Sequence, residues 1–179
     1  PSPVIACVGI LRDFDKAITM DLKAAKDILY LIGPRFDELG GSEYYKTIFG
    51  VMGANVPRVR FDLERSMIYA GIDAIEEGLL AAAHDISNGG LAATAMEMAV
   101  TRPARFGIEL ELDGVVVSGD LDMRTDKLLF SESSGFLLEA KAGKEERLEE
   151  LLKSYDLVPA KIGRVTGIRR IKISRLGET

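Results

Sequence analysis

Apolar and polar positions alternate along the chain in short runs, and the runs predict strands and helices interleaved from one end to the other. Residues 3–11 are apolar and rich in β-branched side chains, which predicts a strand, with Asp13, Phe14 and Asp15 as a turn after it. A second apolar run, Ile28–Ile32, is closed by Gly33 and Pro34 and predicts another strand. Residues 36–41 read as a loop, and Ser42 as the N-cap of a short helix reaching Phe49, where Gly50 and Gly53 stop it. The clearest helix is expected over residues 63–79 with Asp62 as N-cap, because Ile68, Ile72, Ile75 and Leu79 stack on one face.

Residues 79–83 form a buried strand in this reading, ending at His84 and Asp85. Ser87, Asn88, Gly89 and Gly90 make a turn into a helix over residues 91–100, with Pro103 beyond its end. Residues 107–112 alternate as a half-buried strand does. Residues 128–130 and Phe136–Ala140 read as two strand pieces around the polar stretch 131–135. An amphipathic helix follows over residues 144–155, with Leu148, Leu151 and Leu152 inward, and then two terminal strands, 160–165 and 170–173. No internal repeat or low-complexity tract is visible. The class is α/β (α+β): a single domain with one mixed β-sheet covered by helices, its long helices making right-handed crossovers between parallel strands.

Composition narrows the function. The 179 residues are 47% apolar and 28% charged with 7% aromatics and no Trp, enough chain to bury one core but short of an aromatic platform for single-stranded nucleic acid. A net charge of −5 weighs against nucleic acid or an anionic membrane as partner, and no apolar run is long enough to span a bilayer. The single cysteine, Cys7, excludes an internal disulfide and reads as a small buried hydrophobe. The chain starts at Pro1 without Met or a signal peptide, as expected of a fragment or a trimmed cytoplasmic chain.

Three glycine- or serine-rich turns are the candidate chemistry. The first joins the strand ending at Asp85 to the helix after Gly90. Its glycines allow a close backbone approach, and the unpaired N–H groups at the helix start suit a phosphate or carboxylate. Asp85 is placed for a metal ion or a ribose hydroxyl. The same residues also suit an ordinary turn in which Ser87 or Asn88 caps the helix. Three or four charge-assisted hydrogen bonds at ~1.5–3 kcal/mol each, less the cost of association, give only ~−4 kcal/mol, roughly millimolar affinity. A useful site therefore needs a second surface. Two further candidates stand by themselves: Ser131, Glu132, Ser133, Ser134 and Gly135, which present hydroxyls and a carboxylate but suit an ordinary tight turn equally well, and, more weakly, the pair Gly40-Gly41 before Ser42 and Glu43.

The other chemistry-bearing residues have plainer readings. His84, the only histidine, reads as a hydrogen-bonded structural residue. Asp113, Asp120, Asp122 and Asp126 lack calcium-loop spacing and read as solvated. Arg164, Arg169, Arg170, Lys172 and Arg175 read as a solvated strand edge, and Met96 and Met98 as helix surface and core. No Walker loop, Ser-His-Asp order or metal-ligand spacing is found.

His84-Asp85-Ile86-Ser87-Asn88-Gly89-Gly90-Leu91-Ala92, with Glu97-Met98-Ala99, resembles the signature of the C-terminal domain in the AIR-synthetase-like superfamily. Gly40-Gly41-Ser42-Glu43-Tyr44, Leu129-Phe130-Ser131-Glu132-Ser133 and Ile162-Gly163-Arg164-Val165-Thr166-Gly167 are similar to further elements of one of its families, the formylglycinamide ribonucleotide amidotransferase large subunits. Pro3-Val4-Ile5 with Val8-Gly9 looks like the strand that precedes the domain there. The resemblance is to the second of two repeats. It implies that residues 1–20 end a preceding ATP-binding-type domain or linker, and that residues 21–179 are the C-terminal domain. It implies ATP-dependent conversion of formylglycinamide ribonucleotide and glutamine-derived ammonia to formylglycinamidine ribonucleotide, with magnesium, a glutaminase subunit, a small accessory subunit and self-association. Candidate substrate- or nucleotide-phosphate-binding residues are then Gly40, Gly41, Ser42, Asp85, Ser87, Asn88, Gly89, Gly90, Glu132, Ser133 and Ser134. No catalytic residue is assigned in this stretch.

One departure matters: the family's substrate-contacting element reads Glu-Ser-Gln, and here it is Glu132-Ser133-Ser134. Losing the amide removes a donor and an acceptor, so this copy is expected to support catalysis and to be inactive alone. The alternatives are another superfamily enzyme, aminoimidazole ribonucleotide synthetase, or a non-catalytic dimerisation scaffold.

Overall fold

A computed structural model of the chain describes residues 4–11, 13–53, 55–101, 105–119 and 123–176; Pro3, Pro103, Asp120 and Asp122 lie outside them. Strands β1 (Ile28–Ile32), β2 (Leu80–Asp85), β3 (Gly107–Glu111), β4 (Phe136–Ala140), β5 (Ala160–Thr166) and β6 (Ile171–Ser174) form one sheet in the order β2-β4-β1-β5-β3-β6. Helices α1 (Phe61–Glu76), α2 (Gly90–Val100), α3 (Thr125–Phe130) and α4 (Glu145–Ser154) cover it. Neighbouring strands are antiparallel except β3 and β6, which are parallel.

The crossovers expected between parallel strands join strands that are not neighbours in the sheet. The strands joined by α1, β1 and β2, are separated by β4, and those joined by α4, β4 and β5, are separated by β1. Two split βαβ units therefore interlock, each inserting its strand into the other.

Alternation along the strands sends side chains to two cores. Leu29, Leu31, Leu137, Ile108, Leu110 and Ile162 meet Leu91, Ala95 and Met98 of α2 and Leu128 of α3. Tyr30, Ile32, Leu138 and Ala140 meet Met67, Ala70 and Ala74 of α1 and Leu148, Leu151 and Leu152 of α4.

Several expectations are corrected here. The inward face of α1 carries Met67, Ala70 and Ala74, whereas Ile68 and Ile72 are each 48% exposed. Both sets satisfy the 3.6-residue period, and the set with the two alanines wins over the middle of the helix because they let it lie close to the sheet, while Ile75 and, beyond the helix end, Leu79 still pack against the same core. Asp62 sits in the first turn of α1 and Arg60 is the N-cap, without a side-chain cap bond. Residues 128–130 belong to α3, not to a strand; so short an apolar run has no period to distinguish the two. Residues 4–11 form no strand and Val4, Val8 and Ile10 are more than 90% exposed, since no neighbouring strand among the described residues offers them a ladder. Cys7 is exposed with them instead of buried. Met98 is buried and Met96 half-exposed, as expected.

Glu139 of β4 is fully buried, accepts the N–H groups of Lys23 and Ala24 at 3.0 Å, and faces the buried Asp27. This acid pair fastens the segment entering β1 to the sheet. Burial first, and then Asp27, push the Glu139 carboxyl up to about 7; burial also raises Asp27. Among the described residues no helix is long and apolar enough to cross a membrane.

Candidate functional site

The polar turns at residues 33–43, 86–90 and 131–135 meet around one side chain, Glu132. Its Oε1 accepts the N–H of Gly89 at 2.8 Å and the N–H of Glu43 at 2.9 Å. One carboxylate thus ties together the three elements singled out from sequence, with charge-assisted bonds stronger than those between neutral groups.

The turn after β2 needs its glycines. Gly89 and Gly90 have φ of +81° and +65°, and a Cβ on Gly90 would lie 2.6 Å from the Leu129 carbonyl. Gly89 is itself the N-cap of α2, without a side-chain cap bond, so neither Ser87 nor Asn88 caps the helix. The Ser87 carbonyl instead accepts the Gly90 N–H at 3.0 Å. Asp85 stands at the end of β2 with an exposed carboxylate, 3.2 Å from His84 Nδ1, and the Glu97 carboxylate accepts from His84 Nε2 at 2.9 Å. His84 is therefore hydrogen-bonded on both nitrogens, in line with its structural reading.

At the second turn, Ser42 Oγ accepts the Tyr45 N–H at 3.2 Å and starts a π-helical turn, Tyr45–Phe49. The N–H groups of Gly40 and Gly41 donate to the carbonyls of Asn55 and Met52 at 2.7 and 3.1 Å, so both are engaged by the loop that returns to α1. Glu38 fixes that loop by a bidentate pair with Arg60 at 2.6 and 3.1 Å. Burial raises the Glu38 carboxyl pKa, but bonds from Arg60 and the Arg58 N–H outweigh it and hold the group below its ordinary value. Tyr44 stacks on Phe130 at 4.5 Å and joins this turn to the end of α3.

The third turn is the most buried. Ser131 and Ser133 are buried and share a hydroxyl bond of 2.7 Å, and Ser131 Oγ also donates to the Phe36 carbonyl at 2.9 Å. Ser134 Oγ donates to Glu64 of α1 at 2.5 Å, so its hydroxyl is committed to α1. Beneath the turn lies Arg35, 0% exposed, with Nη1 donating to the Ser133 carbonyl and Nη2 to the Ser134 carbonyl, both at 2.6 Å. Burial pulls the Arg35 pKa down to about 10, with Glu64 opposing. Nothing in the sequence marks this residue, which follows Gly33 and Pro34 in no recognisable motif.

Among the described residues no group of three or more His, Cys, Asp or Glu side chains is placed to hold a metal. The Gly89 amide, the strongest candidate donor for an anion, is taken by Glu132, so a ligand phosphate there would compete with an internal carboxylate.

Residues 24–175 match the family model described as AIR synthase related protein, C-terminal domain. The phosphoribosylformylglycinamidine synthase subunit PurL of Methanothrix thermoacetophila is 59% identical over 166 residues, which is 93% of this chain and 21% of that protein. The corresponding subunit of a Thermoanaerobacter species is 35% identical over 170 residues, 93% of this chain and 22% of its own. The chain thus spans about a fifth of the length of these curated relatives. Among solved structures, Thermotoga maritima PurL complexed with FGAR superposes with a TM-score of 0.76 at 19% identity, covering 91% of this chain and 28% of that one, a likeness of fold.

Proposed function

The chain belongs to the AIR synthase related family, as its C-terminal domain, and from that premise we propose that it is the second such domain of a phosphoribosylformylglycinamidine synthase large subunit. The reaction of the whole protein is ATP-dependent: formylglycinamide ribonucleotide and glutamine-derived ammonia give formylglycinamidine ribonucleotide, ADP and phosphate. One observation carries the reading, the 59% identity to a PurL subunit over 93% of this chain. The fold is shared with Thermotoga maritima PurL structures complexed with ATP and with FGAR, which supports a nucleotide and a ribonucleotide as the ligands.

In this reading the turns gathered by Glu132 form the wall that this domain presents to ligand phosphates. Gly40, Gly41 and Ser42 shape one side, Ser87, Asn88, Gly89 and Gly90 the other, and Glu132, Ser133 and Ser134 the floor. Magnesium is held by one or two carboxylates together with ligand phosphates more often than by a cage of protein groups. The exposed carboxylate of Asp85 fits that arrangement, and bound magnesium would neutralise phosphate charge there. A glutaminase subunit and a small accessory subunit are the partners, supported by a Thermotoga maritima PurLQS structure that contains this fold. The cytoplasm is the compartment the reading implies.

The test uses the complete protein that contains this chain, given ammonium chloride, ATP, magnesium and formylglycinamide ribonucleotide. ADP release that depends on the ribonucleotide is the expected result, and its absence from folded protein overturns the reading. The 179-residue chain alone is expected to show none. A scaffold role for this copy is favoured by a specific observation: Glu132 occupies the Gly89 amide and Ser134 turns to Glu64. Calorimetry with ADP and magnesium decides between the two, since a scaffold copy takes up none even at millimolar nucleotide.

A further inference from the structure

We propose that Arg35 is a positioning residue, which acts through Glu132 to hold the two glycine turns at a fixed separation. The inference rests on the reading of those turns as the ligand-facing wall, but its main test needs no ligand.

The geometry is directional. The Arg35 guanidinium lies under the third turn and draws in the carbonyls of two successive residues, Ser133 and Ser134, each at 2.6 Å. The Ser131 carbonyl, at 3.5 Å from Nη1, faces the same group from the other side of Glu132. While the carbonyls at 131, 133 and 134 bond the arginine, the side chain of Glu132 reaches the N–H groups of Gly89 and Glu43. The backbone around the arginine is cut to admit it. A Cβ on Gly135 would sit 2.6 Å from Arg35 Nη2, and one on Gly33 would sit 2.8 Å from the Ser134 carbonyl. Arg35 is also anchored from outside the turn, its own N–H donating to the Val116 carbonyl at 2.8 Å and its carbonyl accepting from Ser118 at 3.0 Å.

A buried cation whose planar fork is satisfied by carbonyl oxygens, with one carboxylate, Glu64, nearby, is a costly device for stability alone, and Nε is left buried without a partner. A hydrocarbon side chain would fill the space without that cost. What the fork supplies, and a hydrocarbon cannot, is a set orientation for the carbonyls of Ser131, Ser133 and Ser134, and so for the one carboxylate, Glu132, that stands among them.

The experiment is hydrogen exchange on the complete protein, following peptides that span residues 40–46 and 86–92, with α4 as the internal control. Arg35→Met is expected to speed exchange at the Gly89 and Glu43 amides about tenfold or more while α4 is unchanged, and Arg35→Lys to fall between. In a Glu132→Ala background, where those amides already exchange fast, Arg35→Met is expected to add nothing further there. Unchanged protection of the two amides in Arg35→Met, or equal and additive effects in both backgrounds, overturns the proposal. Should the methionine variant fail to accumulate as folded protein, Arg35→Lys is judged by the same two criteria. A protein that passes this test yet takes up no ADP with magnesium would sink the ligand reading and leave the positioning role standing.

Discussion

A carboxyl group buried against another carboxyl makes stability depend on pH in a direction opposite to that of most acidic residues. Glu139, fully buried beside Asp27, has a folded-state value near 7 against an ordinary 4.5. The native state therefore holds a proton that the unfolded chain gives up at lower pH. The stabilisation tied to that proton is fully present below about pH 4.5 and is lost as pH rises to about 7, on the order of 3 kcal/mol for a shift of this size. Denaturant midpoints between pH 4 and 8 should show this decline, and Glu139→Gln, which cannot ionise, should flatten it. A steeper decline in the variant would exclude Glu139 as the source. At the glycines a contrast is expected. Gly90→Ala meets the Leu129 carbonyl at 2.6 Å in a left-handed backbone and should cost about 3 kcal/mol or more. Gly41→Ala, with φ of +77° and nothing within 4 Å, should cost only the conformational ~1–2 kcal/mol. Thermal unfolding of the two variants side by side checks both. Of these residues the glycines were legible in the sequence, since adjacent glycines before a helix declare a turn. Glu139 and Arg35 were not, because burial of a charge depends on partners brought from more than 90 positions away.

At the scale of single elements, period alone fixed that α1 is a helix but not which stripe faces inward. Two stripes compete, and packing distance decides for the alanines. Ala74→Leu should then overpack the face against α4 and β4, at about 1–3 kcal/mol, while Ile72→Ser should change stability by no more than about 0.5 kcal/mol. Denaturant unfolding with the order reversed would return the isoleucines to the core. The same limit explains α3: Thr125–Phe130 is too short to show a period, and its helical state comes from seating Leu128 against the α2 side of the sheet. Where one pattern dominates, as in α4 with Leu148, Leu151 and Leu152, the element was read from sequence nearly to its ends.

The whole molecule is knit by the exchange of strands between its two split units. β1 and β4 are each paired on both sides, and each lies between the two strands of the other unit. Their backbone amides should be the last to exchange with solvent, and those of β6, on the edge, the first among the strands; fast exchange in β4 would argue against the interlocked order. Strand order was beyond sequence reading, since it depends on contacts between segments about a hundred positions apart, such as Leu29 with Glu139. The mixed sheet with helical cover was legible, because the alternation of periods along the chain already implied it.

Residues 4–11 have one practical consequence. Val4, Ile5, Ala6, Cys7 and Val8 form a continuous apolar stretch of high strand propensity and no charge, held in the open. Such a stretch is both an adhesive and a protease target. A preparation of this domain should clump through it as concentration rises, and a brief digestion should trim the chain from that end and leave the sheet intact.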